Sequence, residues 1–479
     1  MNVSPAGILF VLLVFRIYLK KEKCFEYLFL LCLTTETFFR KGYIFAIGES
    51  YVKFDFFIEC VLIFYCITHI RQVDVRLYRG WLLWISSLIL PLILLILFPS
   101  NELVATHEVS WDEVLYEGAS LVHPIVNGHV VLMTMKMCLF SLVYIYIYLH
   151  WEKDDYKIVV QEFSRIANVF LVVGVLEFVV KNVFRLNDLW GTMLLLLFGE
   201  TPATVYEGRL RGFSFELTLF AQEASHYALT LLFICIVILT RNVIERRESL
   251  LSRDIWLAVI LSLFSTSFSS IYLLIVFFSI YLIHRWYVVK PQTTKIEIIA
   301  LCSSLFIIFG SFLTIVSMYS DGYIGSRVAA IVENWDLILS ADWVAGSAIG
   351  DMSSQVRLVS IVQTLFVFCH RPIFGYSMMS IESHGVFADF LAGVGVWGLI
   401  CWLYFYFSLI PLKNWIKPMN APFSLCILLQ LLTHLLGGDM REFYGAMLLI
   451  VSISFIIISA KKEEYETNIE NDLGYANRT

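Results

Sequence analysis

Residues 81–98 read WLLWISSLILPLILLILF, without one charged side chain. As a helix this run is about 27 Å long, close to the roughly 30 Å of hydrocarbon in a bilayer. In that medium only a helix or a closed barrel satisfies its own backbone polar groups. The flanks differ sharply. Arg71, Arg76 and Arg79 lie before the run, whereas 99–128 contains no Lys or Arg and carries Glu102, Glu108, Asp112, Glu113 and Glu117. Basic residues are retained on the cytoplasmic side, so the run reads as a span leaving the cytoplasm.

Similar blocks recur outward from it. Those at 130–149, 229–240, 298–318, 386–410, 421–436 and 444–460 are clear; 5–19, 24–39, 54–69, 166–180 and a pair within 255–282 are weaker. The pair is split by Ser265-Thr266-Ser267-Phe268-Ser269-Ser270, which permits two short spans or one long bent one. The total is about thirteen spans, within a range of about 12–14. Composition agrees: of 479 residues 59% are hydrophobic and only 15% charged, which excludes a water-soluble domain. The expected fold is an all-α polytopic integral membrane protein over 1–460, with a short cytoplasmic tail over 461–479.

The basic clusters set the remaining orientation. Lys20, Lys21 and Lys23, Lys153 and Lys157, Arg241, Arg246, Arg247 and Arg253, Arg285, Lys290 and Lys295, Lys413 and Lys417, and Lys461 and Lys462 all fall on the cytoplasmic side. Loops 99–128, 181–216 and 318–384 are then outside the cytoplasm, the last being the longest stretch away from the membrane. The first apolar block ends in Lys20 and Lys21 without a small-residue cleavage site, and reads as an anchor. Most cysteines lie inside apolar blocks, and no disulfide framework is implied.

Arginines outside the cytoplasm break the orientation rule and need a reason. In Gly208-Arg209-Leu210-Arg211-Gly212-Phe213-Ser214-Phe215-Glu216, two guanidiniums flanked by glycines suit a backbone that approaches a ligand while planar forks bind phosphate oxygens. With equal weight, they snorkel to lipid head groups. A second group comprises Arg357, Arg371-Pro372-Ile373-Phe374-Gly375, and Ser383-His384 before a span with Asp389, Gly393, Gly395 and Gly398. Residues 356–369 are amphipathic enough for a helix on or dipping into the membrane. His384 stands at a boundary, where an imidazole can accept a proton from a hydroxyl; alone, a boundary histidine is more often a capping or interfacial residue.

Ionisable residues inside the spans are Arg16, Glu59, Lys136, Glu177 and Lys181, each costing about 2.5–3.5 kcal/mol on insertion scales. Glu177 and Lys181, four apart on one helix, are expected to pair as a structural feature. Asp342 and Asp351 are too far apart in sequence to make a metal site, and nothing beside them completes one. No metal or other cofactor is expected.

Taken together, Arg209-Leu210-Arg211-Gly212 with Glu216, then Arg357, Pro372-Ile373-Phe374-Gly375 and His384 at the mouth of a glycine-bearing helix, resemble the O-antigen polymerase and ligase superfamily of membrane glycosyltransferases. The resemblance covers roughly 209–398. Two positions depart from its pattern: the usual His-Asn is His384-Gly385, and the usual Gly-x-Gly is Gly375-Tyr376-Ser377. The resemblance implies a GT-C-like polymerase/ligase architecture with two functional periplasmic loops in the bacterial inner membrane. It implies an O-antigen polymerase, a metal-independent inverting glycosyltransferase that joins undecaprenyl-diphosphate-linked repeat units. Within it, Arg209, Arg211 and Arg357 would hold the diphosphate and His384 would be the general base. Glu216 would orient an arginine or share that role; Gly212, Arg371, Pro372 and Gly375 would support the loops. Expected partners are undecaprenyl-diphosphate-linked oligosaccharide and polysaccharide and membrane lipid, with a chain-length regulator protein left open and no nucleic acid.

Two rivals stand beside this reading. An O-antigen ligase would use the same donor to load lipid A core. A lipid-linked oligosaccharide flippase or transporter would carry its charges near the bilayer midplane and show an internal repeat; the sequence has no such repeat and a long outer loop.

Overall fold

The computed structural model describes residues 2–20, 22–39, 42–47, 50–70, 75–102, 123–198, 210–211, 214–215, 217–219, 224–244, 251–265, 277–278, 335–336, 353–381, 383 and 385–409. The candidate spans 298–318, 421–436 and 444–460 and the tail 461–479 lie outside them. The described chain is mostly helical. Among the described residues four helical stretches are long and apolar enough to cross a membrane: Val75–Leu97, Gly128–His150, Asp154–Val183 and Phe387–Leu409. The chain divides into two compact units, Met1–His69 with His150–Trp286 and Ile70–Leu149 with Tyr287–Thr479.

In the first unit, β1 (Asn2–Val3) leads into α1 (Pro5–Lys20) and α2 (Cys24–Phe38), followed by β2 (Tyr43–Ile47), β3 (Ser50–Lys53) and α3 (Phe54–His69). The strands form an antiparallel sheet in the order β1-β2-β3, a feature the hydropathy pattern gave no reason to expect. Gly7 lets α1 lie on β2, since a Cβ there would stand 2.7 Å from the backbone of Ile44. Next come α6 (Lys153–Phe178), a π-turn (Val179–Val183), α7 (Asn187–Phe198), the strands β4 (Leu210–Arg211) and β5 (Ser214–Phe215), α8 (Ala224–Ile244) and α9 (Arg253–Phe264). The α2 and α6 helices pack through buried aromatics, with the Phe38 and Phe170 rings stacked at 3.9 Å. At one end Lys23 pairs with Asp155, whose other oxygen accepts the Glu152 N–H at 2.9 Å. This contact ties the N-terminus of α2 to that of α6 and puts the Lys20–Lys23 and Lys153–Lys157 segments at the same end of the unit.

In the second unit, α4 (Val75–Leu97) and α5 (Gly128–His150) join α10 (Ser353–His370) and α11 (Val386–Leu409). The Trp81 indole donates to Ser141 Oγ at 2.8 Å, linking α4 to α5. On α5, Tyr144 meets Tyr406 of α11 edge-on at 5.6 Å. Gly80 lets α4 approach α11 closely, because a Cβ there would lie 2.6 Å from Ser408 Oγ. Beside it the Arg76 guanidinium reaches the Phe407 carbonyl at 3.4 Å. Thus the N-terminus of α4 meets the C-terminus of α11.

The apolar block at 386–410 is helical as expected, but not as one continuous helix. Gly395 has φ 68 and ψ −173, so α11 is two helices joined at a sharp break. Phe390 and Trp402 would be about 18 Å apart along an unbroken helix, yet their ring centroids are 6.0 Å apart. The first half folds back toward the second, and Phe390 reaches Trp84 of α4 at 6.2 Å.

Candidate functional site

The break in α11 leaves carbonyls without partners on one side and N–H groups on the other, which apolar surroundings penalise. The segment after α10 satisfies both. Tyr376 and Ser377 donate their N–H groups to the carbonyls of Ala392 and Gly393 at 2.8 and 2.7 Å, while Val396 and Trp397 donate to the carbonyls of Pro372 and Ile373 at 2.8 and 3.0 Å. Residues 372–377 therefore act as a plug between the half-helices. Glycine is required where the two backbones meet: a Cβ on Gly375, at φ +68, would lie 2.5 Å from the carbonyl oxygens of Ala392 and Gly393. At the end of the plug and just after it, Ser377 and Met379 also adopt left-handed φ values of 81 and 62, which side chains disfavour. Ser380 Oγ holds this turn by donating to the Tyr376 carbonyl at 2.6 Å and lying 2.8 Å from that of Ser377.

Arg371 is tied to α4 rather than left free for a ligand. Its Nη2 donates to the Phe98 carbonyl at 2.9 Å, at the C-terminal end of α4, where cations are favoured. Its guanidinium lies 4.9 Å from the centre of the buried Tyr376 ring. Burial raises the Tyr376 phenol above its ordinary range. His370 Nε2 lies 3.9 Å from Glu102. Residues of the 99–128 segment and of the α10–α11 connection thus share one end of this unit.

His384 lies outside the described residues, but both of its neighbours are held. Ser383 Oγ donates to Asp389 Oδ1 at 2.6 Å and the Ser383 N–H to Oδ2 at 3.1 Å, while the Gly385 N–H donates to Ser383 Oγ at 3.0 Å. Asp389, 4% exposed on the first half of α11, therefore holds Ser383, whose hydroxyl in turn accepts the Gly385 N–H. Arg357 falls on the second turn of α10; its side chain is not among those described. Counted along the helix it is about 21 Å from Arg371, so those two arginines lie at opposite ends of α10.

The remaining candidates lie in the first unit. Arg209, Gly212 and Glu216 are outside the described residues. The backbone of Arg211 is in β4, paired antiparallel with Ser214 of β5. Two residues of sequence, Gly212 and Phe213, separate the paired strands. Strand β5 packs against the π-turn at the end of α6, where Phe184 N–H reaches back five residues to the Val179 carbonyl at 3.0 Å. The expected Glu177–Lys181 pair is present, with Lys181 Nζ 2.7 Å from Glu177 Oε1 and both side chains buried. Glu177 does more than pair. Its Oε1 accepts the Thr218 N–H at 3.1 Å and its Oε2 the Leu219 N–H at 2.8 Å.

Two anchoring side chains escaped the reading of the sequence, Glu177, which holds the Thr218 and Leu219 N–H groups, and Asp389, which holds Ser383. The signal for Glu177 was its charge within an apolar run. Its partners are 41 and 42 residues away, and no spacing rule finds them. Among the described residues no three His, Cys, Asp or Glu side chains gather closely enough to hold a metal ion. Comparison of the chain with protein-family models, with curated proteins and with solved structures finds no match.

Proposed function

We propose that this chain is a membrane glycosyltransferase that polymerises undecaprenyl-diphosphate-linked repeat units of O-antigen, or of a similar surface polysaccharide, at the periplasmic face of the bacterial inner membrane. The supporting observation is the build of the α10–α11 connection. The connection carries Arg357 on one helix, plugs a broken second helix and ties Ser383, next in sequence to the candidate base, to Asp389, the kind of rigid support a functional constellation needs.

In the reaction, an acceptor hydroxyl on one lipid-linked unit attacks the anomeric carbon of the growing chain. The bond from that carbon to the diphosphate oxygen breaks and the hydroxyl proton passes to the His384 imidazole. Undecaprenyl diphosphate leaves with both electrons of the broken bond. Its developing charge needs fixed cations, and Arg209, Arg211 and Arg357 supply them as planar forks that match phosphate oxygens, in the role a divalent metal fills elsewhere. Direct displacement inverts the anomeric carbon. Glu216 orients an arginine.

Deleting the gene in its source strain and profiling lipopolysaccharide tests this reading. The expected result is loss of the ladder with a surviving core-plus-one-unit band. Core alone indicates a ligase or flippase, and an unchanged ladder contradicts the proposal.

A further inference from the structure

Thr218 and Leu219 follow Glu216 by two and three residues, and lie at the base of the segment that carries both arginines of the first unit. Their N–H groups are held by a single carboxylate, that of Glu177, which is 0% exposed. Leu219 has φ 48, a left-handed conformation that a leucine keeps only where its surroundings impose it. Three donors thus converge on Glu177: two backbone N–H groups and the Lys181 ammonium. The ammonium comes from inside the π-turn, a local helix distortion frequent at functional sites, against which β5 packs. A pair of charges buried only to stabilise α6 would not need to bond a distant loop.

We infer that the Glu177–Lys181 pair anchors the arginine-bearing segment, and that Glu177 is a positioning residue for Arg209 and Arg211. The inference rests on the reading above that these arginines bind a diphosphate. A carboxylate accepts from all three donors at once, whereas the single amide oxygen of glutamine does not.

The test separates anchoring from stability. Glu177→Gln alone leaves a buried cation without its carboxylate and is expected to destabilise the protein. Glu177→Gln combined with Lys181→Met removes both charges, a change that buried pairs often tolerate. Wild type and double variant are placed in lipid nanodiscs, and three properties are read: thermal midpoint, hydrogen–deuterium exchange of the peptide covering Thr218 and Leu219, and affinity for undecaprenyl diphosphate.

The double variant is expected to melt close to wild type, to exchange at that peptide at least about tenfold faster, and to bind the lipid about tenfold more weakly. Wild-type exchange in a folded double variant overturns the anchor. Faster exchange with unchanged lipid affinity overturns the positioning role. If the double variant fails to fold, Glu177→Asp serves, keeping the charge but withdrawing the carboxylate by one methylene. It is expected to show faster exchange and weaker binding at an unchanged thermal midpoint; wild-type values in both overturn the proposal. The underlying reading fails separately: wild type would then bind undecaprenyl diphosphate no better than undecaprenyl monophosphate, and a positioning role toward a diphosphate falls with it, while exchange still decides the anchor.

Discussion

Gly395→Ala is expected to unfold the break in α11 and with it the second unit's loop. At φ 68 and ψ −173 the residue lies in a region open essentially to glycine alone, and another residue there costs about 1–3 kcal/mol. A Cβ would also stand 2.2 Å from the Ile373 carbonyl oxygen and 2.7 Å from the Phe374 nitrogen. These are backbone atoms of the plug and cannot turn aside as a side chain would. Relieving the clash breaks the bonds from Val396 and Trp397 to Pro372 and Ile373, each contributing about 0.5–1.5 kcal/mol. The combined loss is a large share of the roughly 5–15 kcal/mol by which proteins are stable. Thermal unfolding in detergent should show a marked drop for Gly395→Ala and none for Gly128→Ala, where a Cβ meets nothing within 4 Å. Equal midpoints for Gly395→Ala and wild type would refute the broken helix.

For activity the largest expected effect is at Arg357. If its guanidinium grips two diphosphate oxygens at once, lysine keeps the charge but loses the fork. Arg357→Lys should therefore fail nearly as badly as Arg357→Ala, with ladder formation reduced about 10²–10³-fold in both. The backbone of α10 already holds Arg357 on a helix, so neither change should alter helical content by circular dichroism. A lysine variant with full activity would remove the bidentate clamp from the mechanism and leave only a point charge.

Most helices were legible because the lipid requirement for continuous apolar runs is severe: the blocks at 24–39 and 54–69 became Cys24–Phe38 and Phe54–His69. Where a helix extends beyond the apolar zone, hydropathy stops too early. The α4 helix begins at Val75, with Arg76 and Arg79 in its first turns. The α6 helix begins at Lys153 rather than near 166, through a polar half that holds Asp154, Asp155, Glu162 and Arg165.

The break in α11 was hidden for the opposite reason, since both halves are apolar and average into one block. The glycines at 393, 395 and 398 were its only trace. At the site, residue type and sidedness picked out Arg357, Arg371, Pro372 and Gly375. Their division of labour could not be read, because the hydrogen bonds that fix Arg371 to α4 and Pro372 to α11 join segments remote in sequence. Arg209 and Arg211 belong to the first unit, and Arg357 and His384 to the second.

The most direct test gives purified protein, reconstituted with EDTA present, the undecaprenyl-diphosphate-linked repeat units of its source strain. The account predicts a regular series of longer lipid-linked chains, absent with His384→Ala. Units that remain single with wild-type protein, or a series that His384→Ala still produces, would contradict it.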